Sequence, residues 1–598
     1  MQQYTEPIKV EYPQSGSLTD ALIHHAAHQP HTPAIVRRDG EVWTDLTSVA
    51  FLEEVRAVAK GLMASGVKAG DRVAIMSRTR FDWTISDYAI WFCGAVTVPV
   101  YETSSHEQLL WIMSDSGAVA ALVETENHRS MIEEIRSNLP DLQHTWVYDS
   151  NALGELRNAG SWISDEDIEA RRRSVTPEST ATLIYTSGTT GRPKGCDVTH
   201  GNFMVLVRNV IACVPEIFAD RKTSTLLFLP LAHVFGRIIE IAMVESGLKV
   251  AFAPDITNLV PDLAVFRPNF ILAVPRVFEK VFNGAQQKAT ADGKEKIFNA
   301  AAAVAIAYSK AIEAGSIPAS LKLKHKLFDV LVYGKIRDKM GGRVEWSVSG
   351  GAALGSRLGH FFRGIGLTIL EGYGLTETAS ASTVNIPTAI RVGTVGKPLP
   401  GVTIAIAEDG EVLVKGKHIF RGYWKNPEAT AEAIDGDGWF HTGDIGNLSE
   451  DGFLSITGRK KEIIVTAGGK NVAPAVIEDR LRAHWLVSQC MVVGDNKPYI
   501  GCVITIDREA LPQWLARNNR SADSTIEQLR NDAEFVAEIQ SAVDHANKAV
   551  SKAESIRKWV MIDADWTEAS GHLTPSMKLR RNIVEHEYTK EIASIYDN

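Results

Sequence analysis

The sequence predicts an α/β protein whose large N-terminal part contains doubly wound sheets. Apolar runs of strand length alternate with segments of helical spacing over the first 180 residues or so. Three strand-like runs lead directly into glycine-rich turns. After about residue 400 the pattern changes to short alternating strands, which predicts a different sheet and a further unit.

The first strands and helices follow one another in a regular order. "RVAIM" (Arg72–Met76) predicts a buried strand, "FDWTISDYAIWFCGA" a helix and "VTVPVY" a second strand. The runs "AVAALVE" and "TWVYD" repeat this alternation. Strands that alternate with helices indicate a parallel sheet with helices on both faces.

Three junctions between a strand and a glycine turn indicate where a ligand binds. "ATLIY" leads into "YTSGTTGRPKG" (Tyr185–Gly195), "VEWSVSGGA" into a helix through "FFRGIG", and "LTILEGYGLTET" into another helix start. Ligands of open α/β sheets bind at the carboxyl ends of strands, so we expect these turns to border one site.

The middle and the end of the chain depart from this alternation. Residues 283–330 include the alanine-rich "KEKIFNAAAAVAIAYSKAIEAG", which predicts an inserted helical hairpin. "EVLVKG" and "FLSITG" predict short strands, and a last unit from about residue 462 combines helices with the hairpin "CMVVGDNKPYIGCVITID". A helix with basic and then acidic residues is expected from Met577.

Length, charge and cysteine content exclude several classes of protein. The 598 residues predict roughly two to four domains or subdomains. A formal net charge of −9 argues against nucleic-acid binding. The chain has no run of about 18 uncharged apolar residues, so we expect no transmembrane segment. Five scattered cysteines and a start without signal-peptide features predict a cytoplasmic protein.

The loop Tyr185–Gly195 has the composition of a phosphate-binding loop. Glycines let the backbone approach a phosphate, amides and hydroxyls donate hydrogen bonds, and a lysine adds charge. The spacing does not fit the common P-loop, because Gly188 is followed by "TTGRPKG". Composition alone leaves a mobile solvent loop as the alternative.

This loop is one of six motifs that resemble those of the acyl-adenylate-forming enzymes: acyl-CoA synthetases, adenylation domains and firefly-type luciferases. The six stand in that family's order and span about residues 20–590. The other five are "SGGAAL" (Ser349–Leu354), "EGYGLTE" (Glu371–Glu377), "HTGD" (His441–Asp444), "GRKKEII" (Gly458–Ile464) and "LTPSMKLRR" (Leu573–Arg581).

The resemblance implies two domains. Residues 1–460 are expected to form the N-terminal ATP- and acyl-binding domain, with doubly wound sheets, a distorted β-barrel and the helical insertion. Residues 461–598 are expected to form a small, mobile α+β domain that supplies the adenylation lysine.

The resemblance also implies an ATP site. The Thr186–Lys194 loop is expected to hold the β- and γ-phosphates, and Gly350–Ala352 to let the adenine lie flat. Tyr373 is expected to stack on the adenine and Thr376 to bond the α-phosphate. The full set is Thr186, Ser187, Gly188, Thr189, Thr190, Gly191, Lys194, Gly350, Gly351, Ala352, Glu371, Gly372, Tyr373, Thr376, Asp444 and Arg459.

Four charged side chains in these motifs have implied roles. Glu377, assisted by Thr186, is the expected Mg²⁺ ligand, since this cation prefers oxygens and bridges phosphates. Asp444 and Arg459 fit the ribose hydroxyls, although an Asp in "TGD" is also a common turn residue. Lys578 is expected to bridge the substrate carboxylate and the α-phosphate; the alternative is a solvated terminal lysine.

Two half-reactions in one cleft are implied. A carboxylate attacks the α-phosphate of Mg·ATP and gives acyl-AMP, and the thiol of coenzyme A then displaces AMP. Family members rotate the C-terminal domain between the steps, and Lys461 matches the hinge. Gly468, Gly469 and Lys470 in "TAGGKN" are expected to form the coenzyme A tunnel.

Three features resemble the long-chain fatty acyl-CoA synthetases, so a fatty acid is the expected substrate. They are the helix that follows "PLAHVFGR", the stretch "VPRVFEKVF" and the insertion at 283–330. His233 matches a gate between the acyl and thiol tunnels, or is an ordinary structural histidine. The apolar helix face from Phe235 to Met243 lines an acyl channel, or is ordinary core.

Several departures and alternatives stay open. Cys196, Asp197, Gly236 and Lys461 differ from the commoner family residues, and Gly236 puts the shape of the acyl mouth in doubt.

Alternative functions are a fatty acyl-AMP ligase, an adenylation domain for a carrier protein, a medium-chain or aromatic acyl-CoA synthetase, a luciferase-like oxygenase and a non-catalytic scaffold. No amphipathic basic helix is evident, so peripheral membrane contact stays a hypothesis; chain-length preference and oligomeric state are undetermined.

Overall fold

A computed structural model describes residues 2–186, 192–220, 222–255, 258–574 and 577–597. Its strands are β1 (Gln2–Thr5), β2 (Pro33–Asp39), β3 (Val42–Thr47), β4 (Arg72–Met76), β5 (Val96–Val100), β6 (Ala118–Val123), β7 (His144–Val147), β8 (Thr180–Thr186), β9 (Lys194–Thr199), β10 (Ser224–Leu227), β11 (Lys249–Phe252), β12 (Phe270–Ala273), β13 (Trp346–Ser349), β14 (Thr368–Tyr373), β15 (Thr383–Val384), β16 (Lys397–Pro398), β17 (Thr403–Ile406), β18 (Glu411–Lys415), β19 (Gly422–Tyr423), β20 (Phe440–Leu448), β21 (Leu454–Arg459), β22 (Ile464–Val465), β23 (Asn471–Val472), β24 (Val487–Val493), β25 (Ile500–Ile506) and β26 (Ile556–Ile562).

The α-helices alternate with these strands in the first part of the chain. They are α1 (Asp20–His28), α2 (Ser48–Ala64), α3 (Phe81–Phe92), α4 (His106–Ser116), α5 (Glu126–Ile135), α6 (Ala152–Ala159), α7 (Asp165–Arg173), α8 (His200–Cys213), α9 (Pro215–Phe218), α10 (Val234–Ser246), α11 (Leu259–Phe266), α12 (Pro275–Ala291), α13 (Glu295–Glu313), α14 (Ala319–Phe328), α15 (Gly334–Lys339), α16 (Ser356–Gly364), α17 (Pro427–Ala433), α18 (Pro474–Arg482), α19 (Leu511–Arg517), α20 (Ile526–Leu529), α21 (Ala533–Asn547), α22 (Arg581–Glu587) and α23 (Thr589–Ser594).

Two large sheets confirm the predicted doubly wound architecture. One has seven strands in the order β19-β9-β8-β5-β4-β6-β7, and its central pairs from β8 to β7 are parallel. The other has nine strands in the order β16-β15-β14-β13-β12-β10-β11-β2-β3, parallel from β14 to β2. Strand β5 is buried along its whole length, as expected for a strand covered on both faces.

The short strands after residue 400 form a third sheet. Its order is β1-β17-β18-β20-β21, and every pair in it is antiparallel. These are the strands that were expected to form the distorted β-barrel. Its first strand comes from the N-terminus, a pairing that the sequence pattern did not predict.

The helical insertion is longer than expected at both ends. Pro275 starts α12 directly after β12, a favourable position because proline has no amide to donate. Helices α12, α13, α14 and α15 then follow, with a π-helical turn at Asp329–Tyr333 between the last two. The segment is therefore four helices rather than one hairpin.

The C-terminal part has its own sheets and its own core. Strands β22 and β23 pair with each other, and β24, β25 and β26 form a mixed three-stranded sheet. Its buried apolar residues belong to two clusters separate from the main N-terminal core. The last helices begin at Arg581 rather than at Met577, whose φ of 62° does not fit a helix.

Candidate active site

The predicted phosphate loop connects β8 to β9 at an edge of the seven-stranded sheet. Ser187, Gly188, Thr189, Thr190 and Gly191 lie outside the described residues. At the two ends of the loop, Thr186 and Lys194 pair across the hairpin. The Trp111 indole donates to the carbonyl of Pro193 at 2.8 Å, and the Arg192 guanidinium lies 4.8 Å from the Trp111 ring centre.

Oxygen ligands and a lysine converge beside this loop. The Tyr423 hydroxyl donates to Glu377 Oε1 at 2.8 Å, and Lys194 Nζ lies 4.9 Å from the centre of the Tyr423 ring. The Thr186 hydroxyl lies 3.9 Å from the Cys196 sulfur. Burial, followed by the charge of Glu377, raises the pKa of the Cys196 thiol well above its usual value. Hard oxygens beside a lysine suit a cation that bridges phosphates.

Tyr423 is a contact of Glu377 that the sequence motifs did not predict. Strand β19 pairs with β9 and sets Tyr423 opposite Cys196, which brings its hydroxyl to Glu377. The only signal was the aromatic pair in "RGYWKNP", which by itself is typical of a short strand before a turn. Burial raises the pKa of the Tyr423 phenol, and Glu377 adds to this rise, so the hydroxyl keeps its proton and donates.

The expected ribose site is a carboxylate held from two sides. Asp444 and Arg459 are opposite each other on β20 and β21, and Arg459 Nε donates to Asp444 Oδ1 at 3.0 Å. The Tyr373 hydroxyl donates to Asp444 Oδ2 at 2.7 Å. Tyr373 therefore joins the expected adenine and ribose motifs through one hydrogen bond. Asp444 is buried and fixed in orientation, unlike a residue of an exposed turn.

The glycines of the expected adenine site are needed for two different reasons. A Cβ on Gly350 would lie 3.0 Å from the Phe235 ring, so this position accepts no larger side chain without a shift. Gly351 has a φ of 82° and nothing within 4 Å of its Cβ position. Gly351 and Ala352 are exposed, and they leave open space at the end of β13. Gly372 is close to the carbonyl of Thr383, at 3.1 Å from its Cβ position.

Glu371 has a contact that the sequence did not predict. Its carboxylate accepts a hydrogen bond from the backbone amide of Leu354 at 3.2 Å, at the end of the "SGGAAL" loop. The side chain is buried, and this burial raises its pKa to about 7. Glu371 supports the loop on which the adenine is expected to lie; its expected contact with ATP stays a prediction.

The charge of Lys578 is coupled to charged residues of the N-terminal part. Although its side chain reaches solvent, protein atoms surround it on most sides, and this desolvation lowers its pKa. The Arg459 guanidinium lowers the pKa further, while Asp444 and Glu377 oppose this. On another wall, burial and then the charge of Lys578 lower the pKa of His233 to about 4. His233 is therefore neutral near pH 7.

Hydrogen bonds join Lys578 to Thr574. The Thr574 hydroxyl accepts from the amide of Lys578 at 3.0 Å, and the amide of Thr574 donates to the carbonyl of Lys578 at 2.8 Å. Met577 has a left-handed φ of 62°, an uncommon conformation for a residue with a side chain. Two hydrogen bonds therefore anchor the backbone of Lys578, and its role in adenylation stays a prediction.

Family models match both parts of the chain. The model described as an AMP-binding enzyme matches residues 22–424, and the one described as an AMP-binding enzyme C-terminal domain matches residues 461–598. The chain belongs to the AMP-binding enzyme family. This confirms the resemblance to the acyl-adenylate-forming enzymes.

Relatives of this AMP-binding enzyme include ligases from bacteria and animals. It is 48% identical over 601 residues to the long-chain-fatty-acid–CoA ligase FadD15 of Mycobacterium tuberculosis, covering 100% of both chains. It is 29% identical over 593 residues to the human long-chain-fatty-acid–CoA ligase ACSBG1, covering 93% of this chain and 82% of the relative.

Solved structures of family members have the same fold. The anthranilate CoA ligase AuaEII in complex with anthranoyl-AMP superposes with a TM-score of 0.71 at 20% identity, covering 97% of this chain and 98% of the other. The adenylation domain of a carboxylate reductase from Mycobacterium chelonae gives 0.73 at 22% identity, covering 97% and 91%. These similarities confirm the α/β fold class with a large N-terminal and a smaller C-terminal domain.

The expected hinge and tunnel residues of this AMP-binding enzyme lie in the segment from the end of β21 to β23. Lys461 is exposed on the short helical turn Lys460–Glu462, directly after β21. Gly468 and Gly469 lie in the turn between β22 and β23, and Gly469 has a φ of 75°. Lys470 Nζ pairs with Glu554 at 3.0 Å. The tunnel and hinge roles stay predictions.

The helix that follows His233 is packed into the core. Ile238, Ile239, Ala242 and Met243 are buried in the main apolar cluster, which fits the expectation of ordinary core. Gly236 is explained by packing, because a Cβ there would lie 2.8 Å from the carbonyl oxygen of Pro230. His233 caps this helix: its Nδ1 accepts from the amide of Phe235 at 3.1 Å.

Proposed function

We propose that this chain is an AMP-forming long-chain fatty acid–CoA ligase. It converts a long-chain fatty acid and ATP to acyl-AMP and pyrophosphate, and then acyl-AMP and coenzyme A to acyl-CoA and AMP. The full-length 48% identity to a long-chain-fatty-acid–CoA ligase supports the substrate class. The observation that carries the proposal is the hydrogen bonding of the motif residues, in which Tyr373 and Arg459 both donate to Asp444 and Tyr423 donates to Glu377.

In the first half-reaction a carboxylate oxygen of the fatty acid attacks the α-phosphorus, and the bond to the pyrophosphate oxygen breaks. Negative charge builds on the non-bridging oxygens, and the ammonium of Lys578 is proposed to stabilise it. The hydroxyl of Thr376, at the start of the turn Thr376–Thr378, is proposed to donate to the same phosphate. Lys194 is proposed to balance the charge of the leaving pyrophosphate.

We propose that Glu377 and the Thr186 hydroxyl hold Mg²⁺. The ion would neutralise phosphate charge and orient the leaving group. The donor set fits this ion, since both groups are hard oxygens. No group of three or more histidine, cysteine, aspartate or glutamate residues in the described part of the chain is arranged to hold a metal. A cation at this position would therefore take further oxygens from phosphate and water.

In the second half-reaction the thiol of coenzyme A gives up its proton to water and its sulfur attacks the acyl carbonyl, and AMP leaves with the electrons of the broken carbon–oxygen bond. We propose that the C-terminal domain first turns at Lys461. This turn would remove Lys578 from the cleft and bring the Gly468–Lys470 turn to its mouth. His233, neutral near pH 7, is proposed to line the passage between the acyl and thiol sites.

We further propose a cytoplasmic location with peripheral membrane contact. The substrates ATP and coenzyme A support the first part, as do five cysteines that are all buried and free. The poor water solubility of a long-chain acid supports the second. No helix in the described ranges is long and apolar enough to cross a bilayer.

The test is formation of AMP with a panel of acids, from acetate to long-chain and aromatic acids, with and without coenzyme A. We expect the highest kcat/KM with long-chain acids and stoichiometric acyl-CoA. A best substrate that is acetate or benzoate would contradict the long-chain assignment and leave adenylation standing. Adenylate release without thioester would identify a fatty acyl-AMP ligase instead.

A further inference from the structure

Helix α14 of the insertion (Ala319–Phe328) lies on the surface of the protein and has no buried residue. It is attached through one side: His325 stacks on Tyr308 with 3.8 Å between ring centres, and its Nε2 donates to the carbonyl of Gly364 at 2.6 Å. Phe328, on the same side as His325, is half-buried. A helix of a globular protein normally turns its apolar side chains toward the core.

The opposite side of this segment is apolar and exposed. Leu323, Leu327, Val330 and Leu331 have exposed fractions of 73%, 58%, 76% and 48%. Their spacing of four, three and one residues places them on one face, which continues from α14 into the π-helical turn Asp329–Tyr333. We call these four side chains the apolar face. Four large exposed apolar side chains in such a short segment form a contiguous patch rather than scattered surface residues.

Lysines border the apolar face on both sides. Lys322, Lys324, Lys326 and Lys335 are all exposed. Asp329 is the only acidic residue between Gly315 and Arg337, and Arg337 pairs with it at 2.7 Å. The segment is therefore strongly basic in a chain whose net charge is −9. An apolar face with a lysine border is the arrangement of helices that lie in a membrane interface.

We propose that this face is a docking surface for an anionic lipid bilayer. The leucine and valine side chains would enter the boundary between headgroups and acyl chains, and the lysines would contact lipid phosphates. The proposal rests on the proposed function in one respect: the proposed substrates, long-chain acids, are held in bilayers. A second copy of this chain is a poorer occupant, because two lysine-bordered faces repel each other.

This surface contradicts the expectation that the chain has no amphipathic basic helix. In "LKLKHKLFDVLV" the leucines and lysines alternate with a period of two, which hides a helical face in the sequence. The helical spacing of Leu323, Leu327, Val330 and Leu331 is visible only when the alternation is set aside, and the face continues from α14 into the π-helical turn.

Vesicle co-sedimentation of the full chain tests the proposal. The probes are phosphatidylcholine vesicles with and without phosphatidylglycerol, at fixed ionic strength. The variants are Leu323→Gln/Leu327→Gln/Val330→Gln and Lys322→Gln/Lys324→Gln/Lys326→Gln. The control is Val260→Gln/Val265→Gln, which removes two exposed valines of α11 with exposed fractions of 47% and 66%.

We expect wild type to bind vesicles that contain phosphatidylglycerol, and each triple variant to bind about tenfold more weakly or worse. The control should bind like wild type. Activity toward a water-soluble medium-chain acid should be unchanged in all variants, which separates loss of docking from loss of fold or of ligase activity.

Equal binding by the triple variants and wild type would overturn the proposal, as would wild-type binding that does not depend on anionic lipid. Self-association of wild type that the leucine variant abolishes, measured by sedimentation velocity, would identify a second copy as the occupant and overturn it too. A ligase that is inactive yet binds vesicles as described would refute the proposed function and leave the docking surface standing.

Discussion

Lys578 is expected to supply the positive charge that adenylation needs. Lys578→Ala removes the cation that faces the reacting phosphate, so formation of acyl-AMP from acid and ATP should fall by about 10²–10³. Conversion of supplied acyl-AMP and coenzyme A to thioester should stay near wild type, because that step does not use the lysine. The exposed Lys590 gives a matched control, and Lys590→Ala should leave both half-reactions unchanged.

Variants of Glu377 and of its hydrogen-bond donor Tyr423 should distinguish loss of the Mg²⁺ ligand from loss of the group that positions this ligand. Glu377→Ala removes the expected Mg²⁺ ligand and should abolish Mg²⁺-dependent pyrophosphate exchange while the fold survives. Tyr423→Phe removes only the hydroxyl that donates to Glu377 at 2.8 Å. It should raise the Mg²⁺ concentration needed for half-maximal rate several-fold, with a smaller change in the maximal rate. Near-normal exchange by Glu377→Ala would show that another group holds the ion.

Glu371 should make stability depend on pH. Its pKa is about 7 in the folded protein because of burial, against an ordinary value of 4.5. The folded state therefore binds the proton more tightly than the unfolded state, and stability falls as pH rises from about 4.5 to about 7. Converted at about 1.4 kcal/mol per pH unit, the penalty above pH 7 is about 3 kcal/mol.

Glu371→Gln removes this penalty without adding charge. Its urea midpoint should match that of wild type near pH 5 and exceed it at pH 8. The exposed Glu450 provides a control, and Glu450→Gln should not change the difference between the two pH values. The same gap between wild type and Glu371→Gln at both pH values would show that Glu371 does not titrate between them in the folded protein, and would contradict this prediction.

Gly236 and Gly284 both lie in helices, but only Gly236 is closely packed against a neighbouring segment. A Cβ on Gly236 in α10 would lie 2.8 Å from the carbonyl oxygen of Pro230, whereas a Cβ on Gly284 in α12 would meet nothing within 4 Å. Gly236→Ala should therefore destabilise the protein by about 1–3 kcal/mol. Gly284→Ala should stabilise it by about 0.5–1 kcal/mol, because alanine loses less entropy in a helix. Thermal unfolding of both variants measures this contrast, and equal shifts would contradict it.

The sequence predicted those elements whose pattern is local. Strand β4 coincides with "RVAIM", since an apolar run between polar residues is typical of a strand covered on both faces. The Asp444–Arg459 pair followed from motifs that the family shares. Tyr423 was missed because its contact with Glu377 depends on the pairing of β19 with β9. The apolar face of α14 was missed because leucine and lysine alternate with a period of two at the start of the helix.

The two expected domains touch through weak contacts. Arg276 pairs with Asp507 at 3.2 Å, Lys280 with Glu509 at 3.5 Å and Arg517 with Glu295 at 3.3 Å. Ion pairs near the surface contribute about 0–1 kcal/mol each. Such contacts oppose a rotation of the C-terminal part only slightly. They also involve α12 and α13, so the helical insertion borders the part of the chain that is expected to move.

Lys461→Pro should block the second half-reaction. Proline fixes φ near −65° and restricts the residue before it, so the backbone at this exposed turn could no longer change its angles. The variant should make acyl-AMP at a near-normal rate and transfer it to coenzyme A at least about tenfold more slowly. Single-turnover measurements of the two steps show this.

Lys578→Ala and Lys461→Pro should therefore impair opposite halves of the reaction. Lys460→Pro is not a suitable control, because Lys460 Nζ is anchored to Asp409 at 2.5 Å and to Glu411 at 3.1 Å. Lys425→Pro would add a second defect, since φ at that residue is positive. Lys461→Ala, which leaves the backbone free, is the matched variant and should transfer normally. Loss of the same half-reaction in both mutants would contradict a rotation at Lys461.

The Asp444–Arg459 pair lies on the N-terminal side of the expected hinge. Both residues precede Lys461, so a rotation there leaves their hydrogen bond unchanged. We expect the nucleoside to remain bound to the stationary part throughout the cycle. Acyl-AMP is a mixed anhydride that water destroys, and an intermediate that never dissociates has little opportunity to hydrolyse. If the chain rotates at Lys461, the order of these three residues favours retention of a labile compound: the catalytic groups would be exchanged around it, and the acyl group would leave as a thioester.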